Sequence, residues 1–150
     1  MLPPWLVILV LMELVILGIN PSRRDFLWFQ SLRRPAWLKF HTWFPLVWLL
    51  LYACFYSSSL LAWHASRSWH WMAAFAALLM LMQGYTWLLC RSRRLDTGTI
   101  VCLIGWAYAL VLAFGLLPVS RSAALWLLPY LLWTPFEAMI TWRMRRLNGQ

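Results

Sequence analysis

Five stretches of the chain are apolar almost without interruption: residues 2–19, 42–63, 69–90, 97–117 and 123–142. Each approaches the ~20 apolar residues that a helix needs to cross a hydrocarbon core. The runs are continuous rather than alternating, so they read as helices and not as barrel strands, and a helix satisfies its own backbone where no water is present. The pattern predicts an all-α polytopic membrane protein, a five-transmembrane-helix bundle in a single domain over residues 1–150. The intervals 64–68, 91–96 and 118–122 are tight turns of the length that joins antiparallel neighbours. Residues 20–41 form a much longer connection, in which Phe26, Leu27, Trp28, Phe29 and Trp37 interleave with bases. Such a segment suits the headgroup layer, or a lid folded over the bundle.

The polar residues sharpen this picture. Eleven of the thirteen bases fall in three places: Arg23, Arg24, Arg33, Arg34 and Lys39 in the first connection, Arg91, Arg93 and Arg94 in the third, and Arg143, Arg145 and Arg146 at the C-terminus. Only Arg67 and Arg121 lie on the other side. The positive-inside rule then makes the first connection and the C-terminus cytoplasmic and puts the N-terminus opposite. A net charge of +9 spread between helices, rather than along one polar face, excludes nucleic acid as the expected partner and leaves the lipid bilayer. The first apolar run has no preceding base, carries Glu13, and shows no small-residue cleavage site, which argues against a cleaved signal peptide. With no presequence pattern, a bacterial inner membrane is preferred over an organelle. Cys54, Cys90 and Cys102 are scattered through predicted helices, so neither a disulfide framework nor a metal site is expected. His41, His64 and His70 lie near helix ends, as solvated or interfacial groups.

Within the spans, Phe44, Trp48, Tyr52 and Phe55 recur at helical spacing and share one face. Trp133, Phe136, Glu137, Ile140 and Thr141 form a comparable stripe. Facing one another, the two would line an aromatic cleft for a flat apolar ligand; plain helix packing is the alternative. Glu13 and Glu137 are the carboxylates within predicted spans. At a cost of at least ~2.5 kcal/mol for facing lipid, each is expected to look into the bundle or a watery cavity. Of thirteen Trp, Trp5, Trp63, Trp69, Trp71 and Trp126 fit an interfacial belt, whereas Trp48, Trp87, Trp106 and Trp133 lie deeper. No catalytic set of familiar spacing is present, so an enzyme is the less favoured class.

Pro35-Ala36-Trp37, then Phe44, Val47-Trp48 and Leu51-Tyr52, resembles a signature of the tryptophan-rich sensory protein/translocator protein family. Leu128-Pro129-Tyr130-Leu131-Leu132-Trp133-Thr134-Pro135-Phe136 and the terminal Arg146-Leu147-Asn148 resemble that family's last helix and tail. The resemblance covers nearly the whole chain. It implies a five-helix bundle, often dimeric, whose first loop caps a cavity for porphyrins and, in some members, sterols. By position it assigns Trp37, Trp48, Tyr52, Trp87, Trp133 and Phe136 to that cavity. Met80 and Gly84 stand where the family usually has amides, and Thr141 where it usually has Asn. Gln83 and Glu137 are placed to substitute in part. The ligand set expected is therefore Trp37, Phe44, Trp48, Tyr52, Gln83, Trp87, Trp133, Phe136, Glu137 and Thr141, with no required cofactor and a homodimer as the expected assembly. The function expected is binding of a haem-like tetrapyrrole or similar flat ligand, to sense or to move it, with Arg33 and Arg34 available to its acidic groups. A proton-coupled transporter using Glu13 or Glu137, or a porphyrin-degrading enzyme, is the alternative.

Overall fold

The computed structural model describes residues 2–38 and 40–150, with the side chains of residues 40–42 excepted, so Lys39 and the His41 imidazole lie outside the described residues. The described chain is helical: α1 (Pro4–Gly18), α2 (Arg23–Ser31), α3 (Phe40–Ser66), α4 (Trp69–Ser92), α5 (Leu95–Leu116), α6 (Arg121–Trp126) and α7 (Leu128–Leu147). Three single helices, α3, α4 and α5, and the α6–α7 pair are long and apolar enough to cross a bilayer; α1 reaches that length only together with α2, to which it is bent by 74°. The bundle is thus that of a polytopic helical membrane protein with four to five candidate spans. Its outer faces carry what lipid requires, with Leu14, Leu49, Val111 and Leu132 all more than half exposed.

All of α2 falls where the apolar pattern predicts only a connection. The local signal for it is Ser22-x-x-Asp25: the Ser22 hydroxyl accepts from the Asp25 backbone N–H at 3.2 Å and donates to the Asp25 carboxylate at 2.7 Å. This hydroxyl–carboxylate exchange at a helix start satisfies donors that a free terminus leaves open.

The last span is broken by its prolines, and its neighbours repair it. Pro129 lacks the N–H that would serve the Leu125 carbonyl, and α6 ends at Trp126, after which the Leu127 N–H turns from the Ala123 carbonyl to that of Ala124 at 3.1 Å. The Ala123 carbonyl is instead taken by the buried Ser58 hydroxyl of α3 at 2.7 Å. Further along, Pro135 lacks the N–H that would serve the Leu131 carbonyl, and the Trp106 indole of α5 donates there at 3.0 Å. The Cys102 thiol reaches the Thr134 carbonyl at 3.4 Å. Around these polar ties pack Phe75, Leu78, Met82, Leu112, Leu116 and Leu127, all nearly inaccessible.

Ser58→Ala leaves the Ala123 carbonyl buried and unpaired, at a cost of ~1–3 kcal/mol. Ser57 bonds only within its own helix, so Ser57→Ala is expected to unfold in detergent at the wild-type temperature while Ser58→Ala unfolds earlier. Equal melting of the two variants would deny the α3–α6 bond its role.

Candidate functional site

The three base-rich regions meet at one end of the bundle. Asn148 makes a paired amide contact with the backbone after α2, accepting from the Arg33 N–H at 2.9 Å and donating to the Arg33 carbonyl at 2.9 Å. Its second N–H donates to the Met144 carbonyl at 2.8 Å. Asp25 faces Arg93 at 3.5 Å, and Asp96 faces Arg145 at 2.8 Å. The Ser22 hydroxyl, with Arg93 behind it, holds the Asp25 carboxyl below the usual aspartate range. Several arginines lie over aromatic rings: Arg34 over Phe29 at 5.6 Å, Arg91 over Trp87 at 6.0 Å, Arg143 over Trp37 at 5.9 Å and Arg146 over Trp142 at 5.3 Å. Burial lowers the Arg34 guanidinium pKa from its ordinary value.

Under α2 lies a cavity of about 400 Å³. Ile16 and Asn20 line it from the end of α1 and just beyond, Phe26, Phe29 and Gln30 from α2, Phe44, Pro45, Trp48 and Tyr52 from α3, Gln83, Tyr85, Thr86 and Leu89 from α4, and Glu137 from α7. Its rim is exposed at Asn20, Phe26 and Gln30, while Gln83, Tyr85, Leu89 and Glu137 at its inner end are buried. A larger groove of about 790 Å³ runs between α1, α3 and α4 past Val7, Met12, Phe55, Phe75 and Leu79. Its wall is mostly apolar, with Ser59, His64 and Arg67 also lining it; the first cavity sets Gln83, Tyr85, Thr86 and Glu137 in an aromatic wall, the usual make-up of a small-molecule site.

The expected site residues separate into three groups. Phe44, Trp48, Tyr52, Gln83 and Glu137 share the cavity wall, with Trp48 and Tyr52 ring centres 5.7 Å apart. Trp133, Phe136 and Trp37 stand outside it. Phe44 lies edge-on to Trp133 at 5.5 Å, Trp133 meets Phe136 at 5.2 Å, and Phe136 meets Trp37 at 5.9 Å. The two aromatic stripes therefore touch each other through Phe44 and Trp133, with Phe44 in the cavity wall and Trp133 outside it. Trp87 forms the third group, partly exposed on the outside of α4 beneath Arg91. Thr141 is buried beside the cavity: it donates to the Glu137 carbonyl at 2.9 Å, so the Tyr85 hydroxyl donates to Thr141, also at 2.9 Å. It holds Tyr85 in the wall without lining the cavity itself.

The two span carboxylates part company. Glu137 is 4% exposed. Glu13, expected to look inward, is exposed on α1. That helix packs through Met12, Val15 and Ile16, and the residue following Met12 points about 100° away from this narrow face. Met80 is also exposed, and a Cβ on Gly84 would meet nothing within 4 Å. Neither position lines the cavity.

The sequence profile of one family runs along almost all of this architecture, from residue 5 to residue 147. The chain belongs to the TspO/MBR family. Membership makes it a membrane protein of a broadly sensory or binding kind. A relative from Bacillus subtilis (strain 168), the uncharacterized membrane protein YtaB, is 26% identical over 125 residues, covering 81% of this chain and 80% of that protein. For this TspO/MBR protein, sequence resemblance placed Trp37, Trp87, Trp133 and Phe136 in the cavity, and the fold sets all four outside it. Asn20, Phe26, Phe29, Gln30, Tyr85 and Thr86 line the cavity without belonging to the expected set. The capping signal at Ser22-x-x-Asp25 marks the start of α2, which carries Phe26 and Phe29 to the cavity.

Asn148→Asp keeps the acceptor for Arg33 but loses both donated bonds, so faster amide exchange is expected through residues 23–38; unchanged protection would show that the clamp is dispensable. Asp25 contributes stability that is present above its unfolded pKa of ~3.9. That contribution is lost as pH falls through the lower folded value. Acidification is thus expected to loosen α2 in the wild type, with less change in Asp25→Asn, which starts loosened at neutral pH.

Proposed function

We propose that this TspO/MBR protein is a membrane-embedded receptor for a flat, apolar ligand held in the cavity under α2, with a tetrapyrrole of the porphyrin or haem type as the first candidate. The observation that carries this reading is the cavity wall itself: Phe44, Trp48 and Tyr52 on one helix, with Phe26 and Phe29 from α2 also lining the space. Its volume of about 400 Å³ is within the ~300–1,000 Å³ of small-molecule sites. A ring sliding in beside Trp48 and Tyr52 exchanges lipid for aromatic faces. Acidic groups on its outer edge would stay near Arg34, whose guanidinium lies over the cavity-lining Phe29.

Occupancy would be sensed through α2. This helix supplies cavity residues, and its flanks are tied to the rest of the chain by surface bonds at Asp25 and Arg33 that are individually weak. A ligand that displaces Phe26 or Phe29 would load those ties. The distribution of bases supports placing α2 and the C-terminus in the cytoplasm, where a change in α2 is available to cytoplasmic partners.

Quenching of tryptophan fluorescence in the detergent-purified chain, titrated with protoporphyrin IX, measures the affinity. Trp48→Ala is expected to weaken binding about tenfold or more, near 1.4 kcal/mol. Trp133→Phe, behind Phe44, is expected to stay within about twofold of the wild type. Unaltered binding by Trp48→Ala removes the proposed site, and progressive loss of the porphyrin absorbance would make the protein an enzyme rather than a receptor.

A further inference from the structure

We infer that Glu137 makes the cavity selective for planar ligands that bring a positive charge, such as a protonated ring nitrogen or amine, to its inner end. The inference rests on the cavity being the ligand site proposed above, and names the charge of what it takes.

The described structure holds four acidic residues. Asp25 and Asp96 have arginine partners at the base-rich end, and Glu13 is exposed on α1. Glu137 alone is buried, and its carboxylate has no ion pair among the described residues. Tyr52 on α3, Tyr85 on α4, Cys102 on α5 and Tyr130 on its own helix lie within reach of its charge, and none of these is a cation. A carboxylate at this depth is costly on a helix face where leucine would cost nothing, and such groups in spans are met by an internal partner or mark a ligand path. Here no internal partner is present among the described residues, and the group opens into a cavity.

The remainder of the wall points the same way. Phe29, Phe44, Trp48 and Tyr52 share that cavity with Glu137. Aromatic faces around a space attract organic cations through their ring quadrupoles, and a single carboxylate supplies the counter-charge. An acidic group at the inner end would instead meet like charge at short range, with nothing to screen it. The site is therefore polar along its length: cation inward against Glu137, acid outward toward Arg34.

Two three-ring probes of matched shape test this, 9-aminoacridine, which is protonated at neutral pH, and acridine, which is neutral there. Titrated into the full-length chain in detergent, 9-aminoacridine is expected to bind about tenfold or more tightly than acridine. Glu137→Gln is expected to erase that preference while keeping acridine affinity, which also reports that the variant is folded. Equal affinities in the wild type, or a preference that survives in Glu137→Gln, would overturn the inference, and the wild-type comparison decides even if the variant does not fold. Failure of both acridines and protoporphyrin IX to bind would instead bring down the cavity as a ligand site. Binding of acridine and protoporphyrin IX without a cation preference leaves that site standing and removes only the selectivity.

Discussion

In hydrocarbon a carbonyl without a partner has no water to turn to, and the last span of this protein carries two prolines that create the problem. The solution is supplied from other helices: Ser58 on α3 takes the carbonyl left at Ala123, and Trp106 on α5 takes the one left at Leu131. Because these bonds are directional, they fix the rotation of α6 and α7 as well as their position. The rotation has consequences at the next turn. With Leu131 held toward α5 and Thr134 facing Cys102, Glu137 comes to the wall opposite Trp48 and Tyr52, while Phe136 is turned outward to Trp37. The chemistry of the cavity is thus set by a repair to backbone hydrogen bonding several residues away.

The opposite logic holds at the base-rich end, where water is close and no single contact is strong. An amide pairing at Asn148, the Asp25–Arg93 pair and the Arg143 guanidinium over Trp37 tie α2 and the segment after it to the bundle. Exposed pairs of this kind are each worth at most about 1 kcal/mol. Beneath these ties Trp28, Phe29, Leu32 and Leu38 pack against the buried cluster of Tyr85, Leu89 and Cys90, apart from the core around Leu78 and Leu116.

The spans were legible in the sequence because continuous apolar runs have few other uses, and the α3 stripe was legible because Phe44, Trp48 and Tyr52 repeat with the helix. What spacing cannot give is the azimuth of a helix whose every face is apolar. Periodicity groups Trp133 with Glu137 and Gln83 with Met80 and Trp87, yet a few tens of degrees decide that Glu137 and Gln83 line the cavity while the others do not. Glu13 and Glu137 look alike in sequence, and it is the thin packing face of α1 that sends one of them outward. The bend between α1 and α2 was legible only as a break in hydrophobicity, with Ser22 and Asp25 as an unread helix start.

This geometry also changes the meaning of the residues in which the chain departs from its family. Met80 and Gly84, where amides were expected, do not line the cavity, so their apolar character takes no hydrogen-bonding group from its wall. The polar capacity within the buried end of the cavity is concentrated in Gln83, Glu137 and the tyrosine hydroxyls, with Thr141 holding Tyr85 in place. A neutral amide accepts and donates equally, whereas a carboxylate either repels an acid or invites a cation or a proton. Exchanging one for the other in so small a space alters which end of a ligand enters first. In the site proposed for this chain, the direction in which a bound molecule would lie is set by one side chain on α7.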